Sequence, residues 1–201
     1  MGLTKAETTR ELILESAVSA VSEVGFEGLS LGDLAKRVGM SKSGLFAHFA
    51  SKDELELEIL KTAARHFVET VVAPALKAPR GEPRVRALFE NWFRWSSDNA
   101  LPGGCVFIAA ASELDDRPGA LREYLVGSQR DWLATLAYAA KIAVDEGHFR
   151  PELDVDGFAH DLYAILLAYH HFHRLLKDPQ GAARAKRSFE GLMHGAKRLP
   201  S

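Results

Sequence analysis

Ser30-Leu31-Gly32-Asp33-Leu34-Ala35-Lys36-Arg37-Val38-Gly39-Met40-Ser41-Lys42-Ser43-Gly44-Leu45-Phe46-Ala47-His48-Phe49 holds two helix openings and one helix stop. Ser30 is followed three residues on by Asp33, the spacing of a reciprocal N-terminal cap. Gly39 ends that first helix, because the left-handed position after a helix costs glycine little. Ser41 then opens a second helix of under ten residues. Two helices that cross steeply must approach closely, and Ala35 supplies the small residue this requires. The spacing predicts a helix-turn-helix over residues 30–49. Leu34, Val38, Leu45 and Phe49 fall on its inner side, and Lys42, Ser43, Gly44, Ala47 and His48 on the outer side of the second helix. A short helix that projects its N-terminal residues in this way fits the major groove of DNA.

Outward from this motif, apolar residues recur at helical spacing and sustained alternation is nearly absent, which predicts an all-α chain. A first helix over about 5–24 has Ile13, Ala17, Ala20, Val21 and Val24 as its inner stripe, with Gly25 as its stop. Ser51-Lys52-Asp53-Glu54 is a capping box that opens a fourth helix. From Lys52 to Ala73 that helix spans about 30 Å, and Pro74 is expected to bend or end it. Further helices are expected near residues 84–98, 104–114, 118–147, 154–177 and 180–197, about nine in all. Their separators are Pro- and Gly-rich stretches such as Lys77-Ala78-Pro79-Arg80-Gly81-Glu82-Pro83. The expected division is a three-helix unit over 1–51 and a larger helical domain over 52–201.

Of the 201 residues, 47% are hydrophobic and 26% charged, ordinary globular usage with an ample core. The net charge of −2 excludes a protein that coats nucleic acid by bulk positive charge, but leaves room for a local basic face. Residues 1–60 carry six Lys or Arg against ten Asp or Glu, whereas residues 30–52 have Lys36, Arg37, Lys42 and Lys52 against Asp33. A DNA-reading role therefore requires the acids to face elsewhere. One cysteine, Cys105, excludes an internal disulfide and points to a reducing, cytoplasmic setting. The N-terminus shows no apolar signal segment, and no apolar stretch is long enough to cross a bilayer.

The stretch Gly25-Phe26-Glu27-Gly28-Leu29-Ser30, with Leu34-Ala35, Val38-Gly39-Met40-Ser41, Leu45 to Phe49 and Ser51-Lys52-Asp53-Glu54-Leu55, resembles the N-terminal domain of the tetracycline-repressor (TetR) family. The likeness covers about residues 9–60 and is specific, because several motifs keep their mutual spacing. It implies a homodimeric transcriptional regulator, usually a repressor, whose larger domain binds a small molecule and releases a palindromic double-stranded DNA operator. No cofactor, membrane or catalytic residue is implied. By position, Ser30 and Lys52 resemble phosphate contacts, Lys42, Ser43 and Gly44 a groove-facing group, and His48 a residue beside the DNA backbone. Lys36, Phe46 and Ala47 complete the expected DNA surface. Phe46 stands where the family usually has tyrosine, so a phenolic phosphate contact is missing. Ala47 suits a thymine methyl but forms no hydrogen bond.

Aromatic residues crowd the helix near 84–98, and Phe67, Phe89, Trp92, Phe93, Phe107, Trp132 and Tyr163, with Tyr138, are candidates to line a pocket for an apolar effector. The same residues at helical spacing suit a plain core. Apolar stripes on the last two helices, Phe158, Leu162, Ile165, Leu166 and Tyr169 with Phe189, Leu192 and Met193, are candidates for the four-helix dimer interface that the resemblance implies. Two rival classes stand beside this reading. One is a helical protein-interaction module whose reading head no longer binds DNA. The other is a hydrolase or metal protein. Gly28-Leu29-Ser30-Leu31-Gly32 matches a nucleophile-elbow pattern, yet that chemistry needs a strand before the serine. His160, His170, His171 and His173 cluster on one helix, but a zinc site needs three or four placed ligands, and no further Cys or Glu is evident.

Overall fold

A computed structural model of the chain describes residues 4–97 and 101–198. The Met1–Leu3 end and Asp98, where a helix was expected to finish, lie outside the described residues. The helices are α1 (Lys5–Val24), α2 (Leu31–Arg37), α3 (Lys42–Phe46), α4 (Lys52–Phe67), α5 (Ala73–Leu76), α6 (Glu82–Ser96), α7 (Val106–Leu114), α8 (Ala120–Asp145), α9 (Val155–Arg174) and α10 (Gly181–Ala196). A π-helical turn, Val68–Val72, lies between α4 and α5. With the single turn of α5 taken as a continuation of α4, the described residues form nine helices, the number expected. The chain divides into two compact units, residues 1–66 with 97–127, and residues 67–96 with 128–201.

In the first unit α1 begins with a complete capping box. The Thr4 hydroxyl accepts from the Glu7 N–H, and the Glu7 carboxylate accepts from the Thr4 N–H at 2.7 Å. The Thr4 backbone and hydroxyl donors hold the Glu7 carboxyl below its usual range. Ile13, Leu14, Ala17, Val18, Ala20 and Val21 are buried along one face. Val24 is not, at 54% exposure. The helix stops there, and after Gly25 the chain turns so that Phe26 takes the core position instead.

The two expected boxes, at Ser30 and Ser51, form by halves. The Ser30 hydroxyl accepts from the Asp33 N–H, but the Asp33 carboxylate turns to Lys36. The Ser51 hydroxyl accepts from the Glu54 N–H, while the Glu54 carboxylate accepts from the Ala50 N–H rather than from Ser51. Segment 101–114 also belongs to this unit. Glu113 Oε2 accepts from the Phe26 and Glu27 N–H groups at 2.8 and 3.1 Å, and the Gly103 N–H donates to Ser22 Oγ at 3.1 Å.

Pro74 does not end the helical run; it sits in the first turn of α5. A proline has no N–H, so the carbonyl four residues before it loses its donor. The backbone answers with the π turn just upstream, in which the Ala73 N–H reaches back to the Val68 carbonyl. The side chain of Asn91, itself buried, donates to the Val71 carbonyl at 2.9 Å and ties this turn to α6.

The second unit has an aromatic centre. Phe89 stacks on Phe189 with centroids 3.8 Å apart, Phe93 stacks on Tyr169 at 4.1 Å, and Trp92 meets both Phe93 and Tyr169 edge-on. Arg86 joins this layer from its rim, bonding both Glu82 and Glu190. This packing overturns most of the expected dimer stripe. Phe158, Leu162, Leu166, Tyr169, Phe189 and Met193 are all at most 5% exposed, so they hold α9 and α10 within their own chain and have no surface left for a partner. Ile165 and Leu192 remain half-buried. The exposed apolar residues of this region are Leu167, Phe172, Leu175 and Leu176.

His170 gives this unit a pH dependence. Burial, with Arg174, His173 and His171 nearby, pushes its imidazole down to about 4. The neutral form is thus favoured by folding, and the associated stability is complete above the unfolded value near 6.5 and lost as pH falls toward about 4. Over that interval the melting temperature of the parent is expected to fall further than that of His170→Gln. Parallel curves for the two proteins would refute the assignment.

Candidate nucleic-acid interface

The helix-turn-helix is assembled by local bonds. The Gly39 N–H donates to the Lys36 carbonyl and the Met40 N–H to the Ala35 carbonyl at 2.9 Å, closing α2. Gly39 has φ +69°, a left-handed value that the turn requires and a side chain would resist. Ser41 caps α3, its hydroxyl accepting from the Gly44 N–H at 3.0 Å and lying 3.0 Å from Ser43 Oγ. Leu34, Ala35, Leu45 and Phe49 are buried, and the Arg10 guanidinium lies 4.8 Å from the centre of the Phe49 ring. Val38 is only half-buried.

With those side chains turned inward, the opposite face of α3 is open. Lys42, Ser43, Phe46 and Ala47 are exposed, while Gly44 and His48 are half-buried. Ser30 is exposed at the start of α2, and Lys36 projects from the same helix with its ammonium 3.4 Å from Asp33. Lys52, at the start of α4, lies 3.2 Å from the buried Glu56. The Lys36–Asp33 pair is exposed on both sides, where an ion pair is worth only about 0–1 kcal/mol, so a phosphate can compete for Lys36. Lys42 is in no salt bridge among the described residues.

The acids of the N-terminal segment are largely engaged. Arg10 bonds Glu54 and Glu58, Arg37 bonds Glu23, and Glu15 Oε1 lies 2.8 Å from His66 Nε2. Part of the acid excess of residues 1–60 is thus paired away from α3. Arg37, which contributes to the basic composition, is spent on Glu23 and was not among the expected contacts.

The aromatic residues expected to line an effector pocket are split. Phe107 is buried in the first unit, whereas Phe67, Phe89, Trp92, Phe93, Trp132 and Tyr163 belong to the second. Phe89, Trp92 and Phe93 form the packed centre described above. Phe67 meets Trp95 and Trp132 edge-on at 5.5 and 5.0 Å, and the Tyr163 hydroxyl bonds Gln129. Tyr138, at 67% exposure, faces solvent and lines nothing. Among the described residues no group of three His, Cys, Asp or Glu side chains stands where it could hold a metal ion, and no helix is long and apolar enough to cross a membrane.

Two family profiles match the chain: bacterial regulatory proteins, tetR family, over residues 13–59, and tetracyclin repressor-like, C-terminal domain, over residues 81–189. The biofilm operon icaADBC negative transcriptional regulator IcaR of Staphylococcus epidermidis is 27% identical over 60 residues, which are 30% of this chain and 32% of that relative. The match thus spans about a third of the relative's length. A TetR transcriptional regulator from Chloroflexus aurantiacus J-10-FL, known from its crystal structure, shares the fold with TM-score 0.87 and 24% identity, over 98% of this chain and 100% of its own. AibR in complex with isovaleryl coenzyme A and operator DNA shares it with TM-score 0.72 and 20% identity, over 94% and 98% of the two chains.

Proposed function

Because the chain belongs to the tetR family of bacterial regulatory proteins with a tetracyclin repressor-like C-terminal domain, we propose that it is a homodimeric DNA-binding repressor released from a palindromic operator by a small, largely apolar effector. The observation that carries this reading is the open face of α3, with Lys42 uncommitted and Ser43 and Ala47 exposed beside it. Lysine reaches guanine O6 and N7 in the major groove, and Ala47 suits a thymine methyl. Ser30, Lys36, His48 and Lys52 then serve as backbone contacts that set register without reading sequence. Residues 1–51 are the reading head, and residues 52–201 carry effector binding and dimerisation. Neither part is assigned catalysis, and the protein acts on DNA in the cytoplasm.

A dimer places two copies of α3 in successive major grooves about 34 Å apart. The partner surface in this reading is the outer side of α9 and α10, where Ile165 and Leu192 from the expected stripe join the exposed Phe172 and Leu176. An effector that binds better to a form with a different spacing lowers DNA affinity by that preference. AibR, a structural neighbour, is known in complex with isovaleryl coenzyme A and operator DNA, which supports a regulator that answers to both a small molecule and DNA.

The test is a gel shift on DNA flanking the chain's own coding region, over a series of salt concentrations. A specific complex whose log affinity falls linearly with log salt, by roughly 0.9 per phosphate contact, is expected. No sequence-specific complex at any salt would sink the reading.

A further inference from the structure

An indole N–H is a donor with no acceptor capacity, and it finds a partner in nearly every buried setting. Trp95 and Trp132 break that pattern together. Both are buried, at 3% and 5% exposure, and neither ring nitrogen has a hydrogen-bond partner among the described residues. They come from different helices, α6 and α8, and both meet the same ring, Phe67, edge-on. Three residues before Trp132 on α8, Gln129 takes the Tyr163 hydroxyl proton. The unsatisfied donors of this layer are therefore the two indoles, and a buried polar group left unmatched costs about 1–3 kcal/mol.

We infer that the Trp95 and Trp132 indoles, both packed edge-on to Phe67, are the polar anchor for an otherwise apolar ligand and donate to a neutral carbonyl oxygen of a ketone, ester or amide. Two donors call for an acceptor. A carboxylate is disfavoured, because neither Phe67, Trp95, Trp132, Gln129 nor Tyr163 carries a positive charge to offset its burial. The rest of the ligand meets aromatic faces, which suits hydrocarbon. The inference rests on the second unit being the effector-binding part, and names the chemistry that part selects.

The test uses the full-length protein and the indole N–H signals of its three tryptophans in a proton–nitrogen correlation spectrum, assigned by Trp92→Phe, Trp95→Phe and Trp132→Phe. The probes are straight-chain 2-ketones of seven to twelve carbons and the 1-alkenes of matching length. Expected is a saturable downfield movement of the Trp95 and Trp132 signals with at least one ketone, no movement of Trp92, and at least roughly tenfold weaker binding of the matching alkene. Trp95→Phe and Trp132→Phe are each expected to weaken that ketone several-fold, so either variant serves if the other fails to fold. The proposal is overturned if no ketone moves the two signals, or if alkene and ketone bind alike. It is equally overturned if Phe67→Leu abolishes an unusual upfield position of both signals in the free protein, since the N–H groups then point at its ring. Adding the same ketones to the DNA complex separates the two claims. Release of DNA with both indole signals unmoved refutes this site and leaves the regulator reading intact. Indole binding by a protein that forms no specific DNA complex does the reverse.

Discussion

Replacing Lys42 with alanine is expected to weaken binding to the chain's specific DNA site by roughly thirtyfold or more, and to relax the base preference where Lys42 reads. The exposed ammonium of Lys42 has no ion-pair partner among the described residues, so its removal disturbs no bond that holds the fold. A good contact to a base edge contributes about 1–3 kcal/mol of discrimination, and a dimer loses two of them. Lys36→Ala is the matched control. Lys36 already lies beside Asp33, and a contact to phosphate affects all sequences alike. The control is expected to lower affinity several-fold without changing base preference, and to reduce the salt slope by about two, one for the contact of each subunit. Equal, sequence-independent losses in the two variants would show that α3 does not read bases through Lys42.

The second large effect is structural. Gly103→Ala places a methyl carbon 1.4 Å from the Ser22 carbonyl oxygen and 2.4 Å from the Glu23 nitrogen. Both neighbours are backbone atoms at the end of α1, so no side-chain rotation relieves the collision. The loop before α7 must move away, and the Gly103 N–H bond to Ser22 Oγ goes with it. A loss of about 3 kcal/mol or more is expected, which lowers the melting temperature by roughly 6–12 °C for a chain of this size. Glu113→Ala is expected to cost less, about 1–3 kcal/mol, because the Phe26 and Glu27 N–H groups it leaves behind lie where water can partly replace the carboxylate. Gly103→Ala melting within about 2 °C of the parent would mean that the loop is not docked on α1 as described.

The two substitutions differ in how far their targets were legible beforehand. Lys42 follows Ser41, whose hydroxyl caps α3 through the Gly44 N–H three residues on, and the outward face of so short a helix can be read by counting. The contact at Gly103 joins residues 81 positions apart. Nothing in Pro102-Gly103-Gly104 tells which carbonyl it will meet. The aromatic layer lies between these cases. Trp92, Phe93 and Tyr169 have the periodicity of inward residues, yet periodicity is the same for a side chain that meets its own core and one that meets a partner or ligand. Phe158, Leu162 and Met193 therefore read equally well as dimer contacts, until α9 and α10 are seen to bury them against each other. Trp95 stood in the same crowded helix, and only the absence of a partner for its N–H sets it apart.

The sequence by itself determined the all-helical class, the α2–turn–α3 motif and its exposed reading face. Each of these rests on bonds between residues three to five apart, such as Ser41 with Gly44 and Met40 with Ala35, whose partners the local order of side chains specifies. Tertiary structure alone decided that Glu113 caps the turn after α1, that Phe107 belongs with the first unit, and that the stripe on α9 faces inward. Burial is a property of two surfaces meeting, and the order of residues along one of them does not say which other surface arrives to cover it.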